Sequence, residues 1–129
     1  MADSIVKKKS YVFALRIIEL YLLLMDKKHF GIANQIVRAG TSIGANVEEA
    51  LAGQSKKDFT AKMSIASKEA RETNYWLRLI SGAGLVSSDC VKTLLTESET
   101  LVKILTSIVK TSSGRVTSRT KNQGLKTQN

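Results

Sequence analysis

Residues 87–110 read SSDCVKTLLTESETLVKILTSIVK, and within them Val91, Leu94, Leu95, Leu101, Val102, Leu105, Ile108 and Val109 recur at steps of three and four. That is the period at which an α-helix lays an apolar stripe against its neighbours, and Ser98 is its one polar interruption. Ser87 or Ser88 stands where an N-cap belongs. The segment is a bundle helix, and the chain before it repeats the pattern. The absence of proline leaves no position barred from a helix interior and argues against a turn-rich β-sandwich.

Upstream, Ser55 is an N-cap with Asp58 in the first turn, opening a helix that reaches about Ser81. Phe59, Met63, Ala66, Ala70 and Leu77 form its inner stripe, with Ile65, Trp76 and Leu79 on a flank. A second helix, about Ile32 to Ala52, carries Ile32, Ile36, Ile43, Val47 and Leu51. Gly40 and Gly44 sit one turn apart inside it, each costing about 1 kcal/mol relative to alanine. Their use is to admit another helix backbone at close range, with a bend as the rival reading. The first helix, about Ser10 to Asp26, is apolar nearly all round. Tyr11, Ala14, Leu15, Ile18, Leu22 and Met25 form one stripe; Phe13, Ile17, Leu20, Tyr21 and Leu24 form another. Such a helix is covered on more than one side, which implies a subunit interface as well as a core. Gly31 is the expected turn residue between the first two helices, after Lys27 and Lys28.

Four helices with short loops predict an all-α, antiparallel up-down-up-down bundle over residues 10–111. Residues 1–9 read as a basic N-terminal arm containing Lys7, Lys8 and Lys9. Residues 112–129 hold Arg115, Arg119, Lys121 and Lys126 and no acid, and read as a basic, disordered tail.

The whole chain has 129 residues, 43% hydrophobic and 24% charged, which is one domain with a core of its own. Twenty Lys and Arg face eleven Asp and Glu, a net charge of +9, and such a surface favours a polyanion such as RNA or DNA. Aromatic residues are only 5%, too few for an extended stacking platform. One cysteine, Cys90, excludes an internal disulfide and any multi-cysteine metal site. The single histidine, His29, cannot supply the Glu-x-x-His pairs of a di-iron bundle, so no metal or cofactor is expected. Cys90 lacks an assignable base, and Gly40-Thr-Ser-Ile-Gly44 matches neither phosphate loop. No enzyme is expected. No apolar run approaches the roughly 18 residues of a membrane span, and the start is no signal peptide, so the expected address is the cytoplasm.

On the third helix Lys57, Ser64, Lys68, Arg71, Tyr75 and Arg78 fall close to one line. Such a stripe can lie along a phosphate backbone without reading bases. The bland alternative is a solvated face with local ion pairs, Lys68 to Glu72 for example. The candidate nucleic-acid contacts are therefore Lys57, Lys68, Arg71 and Arg78, with Arg115, Arg119, Lys121 and Lys126 from the tail.

Arg38-Ala-Gly-Thr-Ser-Ile-Gly-Ala-Asn-Val-Glu-Glu-Ala, then Ser55-Lys-Lys-Asp-Phe and Ile65-Ala-Ser-Lys-Glu-Ala-Arg-Glu-Thr-Asn-Tyr-Trp-Leu, resemble the four-helix-bundle proteins encoded in intervening sequences of 23S rRNA genes. The resemblance spans about residues 8–110. It implies a bacterial, ring-like homopentamer with no established enzymatic activity. A related branch, accessory to diversity-generating retroelements, implies a reverse transcriptase and nucleic acid as partners. The same resemblance marks Arg38, Asn46, Glu48, Glu69 and Tyr75 as positions that organise the bundle or its interfaces. Gly40, Gly44 and Trp76 join them from the helix reading above.

Overall fold

In the structure, a computed structural model, the backbone is described over residues 2–128 and the side chains over residues 3–114. Four helices follow one another: α1 (Ala2–Asp26), α2 (Phe30–Leu51), α3 (Lys56–Gly82) and α4 (Ser88–Gln128). The fold is an all-α four-helix bundle. Contacts order the helices around a ring, α1 on α2, α2 on α3, α3 on α4 and α4 back on α1. Residue numbers rise on one helix as they fall on its neighbour. Arg38 of α2 meets Glu69 and Glu72 of α3, whereas Glu49 meets Lys62. Between α3 and α4, Asn74 meets Ser98, Arg71 meets Thr106 and Thr60 meets Ser112.

Each inner row follows the helical period. Phe13, Ile17 and Leu24 of α1, Ile36, Ile43 and Val47 of α2, Met63, Ala66, Ala70 and Leu77 of α3, and Val91, Leu101 and Leu105 of α4 are buried. The interruption at Ser98 is satisfied: it accepts a hydrogen bond from Asn74 Nδ2 (2.8 Å) and donates to the Leu95 carbonyl (2.9 Å). A buried hydroxyl with both roles filled escapes the penalty of an orphaned polar group.

The helix ends correct three boundaries. Ser55 does cap α3, accepting from the Asp58 amide at 3.0 Å. The turn after α1, however, uses Lys28 at φ 67°, and Gly31 lies inside α2. The His29 amide reaching back to the Leu24 carbonyl (2.9 Å) closes that turn, so no glycine is needed there. Residues 1–9 are no separate arm. α1 begins at Ala2 because Val6, seven residues before Phe13, extends the inner row and is fully buried. At the other end α4 runs past residue 112 without a break. Ser112 is buried against Thr60, and Ser113 Oγ donates to the Val109 carbonyl (2.6 Å).

At Gly40 it is the Ile17 side chain of α1, not its backbone, that comes close. A Cβ built there would stand 2.7 Å from Ile17 Cγ2 of α1, while at Gly44 the nearest atom is the Ser10 carbonyl oxygen at 3.4 Å.

The two apolar stripes of α1 separate cleanly. The row containing Phe13, Ile17, Leu20 and Leu24 faces inward, whereas Tyr11, Leu15, Ile18 and Leu22 are 62%, 47%, 40% and 60% exposed.

Candidate nucleic-acid interface

Where α3 packs against α4, Arg71 and Arg78 of α3 lie beside Lys103 of α4. Lys57, Lys68, Arg71, Tyr75 and Arg78 are exposed on α3; Lys103 and Lys110 are exposed on α4. Arg71 Nη2 donates to Thr106 Oγ1 (3.0 Å), and Arg78 Nε donates to Asn74 Oδ1 (3.0 Å). Arg78 also lies over the Tyr75 ring, 5.7 Å from its centroid, and Tyr75 meets Trp76 edge-on at 5.3 Å. Arg71, Asn74, Arg78, Glu99, Val102 and Lys103 line an open groove of about 340 Å³.

Five carboxylates are engaged in ion pairs elsewhere. Glu48 pairs with Lys7, Glu97 with Arg16, Glu49 with Lys62, and Glu69 and Glu72 with Arg38. Among the described residues none of Lys57, Lys68, Arg71, Arg78, Lys103 and Lys110 has a carboxylate partner. The Lys68–Glu72 pair of the bland reading is absent because Arg38, reaching across from α2, takes the Glu72 carboxylate. The ion pairs of the α2–α3 seam thus set two cations against three carboxylates, whereas the α3–α4 groove holds three cations and one carboxylate, Glu99.

Arg38 anchors the α2–α3 seam. It bonds Glu69, Glu72 and Gln35, and Trp76 Nε1 donates to Glu72 Oε2 at 2.9 Å. The indole N–H and then the guanidinium hold the Glu72 carboxyl below its ordinary range, against the opposing pull of burial. A carboxyl depressed in the folded state lends stability above its unfolded pKa and withdraws it as pH falls through the folded value. Glu72→Gln should therefore flatten the acid limb of a stability-versus-pH curve below about pH 5, measured by urea midpoints. The effect is modest, since the pair is partly solvated. An acid limb identical to the parent's would show that this cluster does not couple to folding.

The other expected positions scatter. Asn46 Nδ2 donates back to the Ser42 carbonyl (2.8 Å), and Glu48 is exposed and pairs with Lys7. Cys90 is exposed at the start of α4 with Sγ 3.2 Å from Ser87 Oγ. The side chains of Arg115, Arg119, Lys121 and Lys126 lie outside the described residues. Among the described residues there is no cluster of three His, Cys, Asp or Glu suited to a metal ion, and no helix long and apolar enough to cross a membrane. Sequence reasoning missed Lys103 and Glu99. The signal was the 4-3-4 spacing of Glu99, Lys103, Thr106 and Lys110, which puts them on one face of α4.

Residues 2–107 match the family model described as 23S rRNA-intervening sequence protein. A crystal structure at 1.70 Å of a protein of unknown function from the S23 ribosomal protein family of Bacteroides thetaiotaomicron VPI-5482 is 43% identical. Its match covers 85% of this chain and 99% of that one, with a TM-score of 0.81. No curated protein matches the chain.

Proposed function

The chain belongs to the 23S rRNA-intervening sequence protein family, and on that premise we propose that it is a non-enzymatic, self-assembling scaffold that binds RNA or DNA through the α3–α4 seam. The observation that carries the reading is the sorting of charge. Ion pairs take up five carboxylates on the other helix seams, whereas Arg71, Arg78 and Lys103 share a groove of the α3–α4 seam with no carboxylate partner among the described residues. A row of exposed, uncompensated cations attracts phosphates by charge and counterion release. Titration of the full chain into a labelled structured RNA at low salt tests it. Binding is expected, and its absence would reject the reading.

Self-assembly follows from α1. Tyr11, Leu15, Ile18 and Leu22 are spaced 4-3-4, the seam spacing of helices that pack on copies of themselves. A large apolar stripe open to water on a small protein is an association surface. Its occupant is a second copy of this chain, and the ring of five implied by the sequence resemblance would set five basic seams around one axis. Several weak phosphate-binding faces on one particle bind a long polyanion with avidity. The double variant Leu15→Glu/Leu22→Glu should give a helical particle of about the 14.1 kDa chain mass in light scattering, against a multiple of it for the parent. A monomeric parent, or an unchanged variant, contradicts this interface.

In its most concrete form the scaffold serves a reverse transcriptase and its template as an accessory protein, which the basic charge supports. The second reading, an intervening-sequence-encoded structural homo-oligomer with no nucleic-acid role, is favoured by the α1 stripe alone. RNA titration separates the two.

A further inference from the structure

We infer that the groove between α3 and α4 seats one unpaired nucleotide, its phosphate on Arg71, Arg78 and Lys103 and a donor edge of its base on Glu99. This rests on the nucleic-acid reading above and names the element recognised.

The site is an open groove whose volume of about 340 Å³ is at the small end of ligand-sized sites. The hydrogen bonds of its two arginines go to neutral oxygens, of Thr106 and of Asn74. Each spends one N–H of the five a guanidinium carries, so charge and donors remain for a phosphate while the side chain is held in place. Glu99 decides the ligand class. It shares the groove with three cations, yet among the described residues it forms no ion pair. In a site for bare phosphate a carboxylate only repels. In a nucleotide site it accepts from base N–H groups, as acidic side chains do when they read base edges. Val102 supplies an apolar patch, and Arg78 over Tyr75 gives the rim a flat surface against which a base can lie. With one such surface, the site takes one base and not a run.

A paired base spends its Watson–Crick edge on its partner, so only a bulged or looped nucleotide can offer that edge to Glu99. Guanine suits a carboxylate best, because N1–H and N2–H are adjacent donors. The test is fluorescence anisotropy of the full chain with two hairpin RNAs, identical except for a single bulged guanosine. The bulged hairpin should bind at least about fivefold tighter. Glu99→Gln, at an exposed position, should abolish that preference while preserving or raising affinity for the unbulged hairpin. Equal affinities for the two hairpins, or a preference that survives Glu99→Gln, would overturn the nucleotide site. Failure to bind either hairpin would instead reject the nucleic-acid reading on which it rests.

Discussion

Replacing Gly40 with alanine lowers the stability of the bundle, and the same change at Gly44, one turn along the same helix, does not. In an unhindered helix both substitutions would stabilise by about 1 kcal/mol, because alanine loses less backbone entropy. At Gly40 the new methyl would stand 2.7 Å from Ile17 Cγ2, inside any real contact distance, and Ile17 is itself fully buried. Relief requires an off-rotamer Ile17 or a wider α1–α2 spacing, and overpacking of this kind costs about 1–3 kcal/mol. At Gly44 the nearest atom is 3.4 Å away, ordinary contact, so the propensity gain survives. Urea midpoints at matched protomer concentration, with unchanged slope, should therefore fall for Gly40→Ala and hold or rise for Gly44→Ala. A Gly40→Ala variant as stable as the parent would mean that the crossing has room to spare.

The triple variant Lys68→Gln/Arg71→Gln/Arg78→Gln should lose about two orders of magnitude in affinity for structured RNA near 0.1 M salt. Each phosphate contact releases counterions and contributes roughly −0.9 to the log–log salt slope on duplex DNA, somewhat less on single strands. Removing three contacts takes about 2 to 3 from that slope. All three residues are exposed, and their hydrogen bonds go to Thr106 and Asn74 alone, so the circular dichroism should stay that of the parent and the thermal midpoint should fall only slightly. Anisotropy measures the affinity. An intact triple variant that binds as the parent does would reject the α3–α4 seam.

The architecture was legible because apolar residues recur at three and four along every helix, and burial rewards that period directly. The Ser55 cap was also readable, from a local residue choice with one dominant physical use. Local chemistry misled at the α1–α2 turn, where backbone hydrogen bonds let Lys28 do what Gly31 was expected to do. The lysine run at 7–9 concealed a helical start, because Val6, the residue that commits it to the core, precedes the charges. Which stripe of α1 faces inward could not be read either. Both are apolar, and only the partner helices choose between them.

The site was half legible. Periodicity placed Lys68, Arg71 and Arg78 on one line of α3, but whether that line is neutralised depends on residues far off in the chain. Glu72 lies four residues from Lys68 and could have paired with it. Arg38, 34 residues away, takes it instead. Lys103 and Glu99 join the seam only because α4 packs beside α3, a relation that no spacing within one helix reports.

The most direct measurement is the affinity of the full chain for a structured hairpin RNA between 50 and 300 mM salt. The account predicts binding at low salt that weakens steeply, with a log–log slope reporting several released counterions. Absence of binding at 50 mM, or an affinity indifferent to salt, would contradict it and leave a bundle whose exposed α1 stripe serves assembly alone.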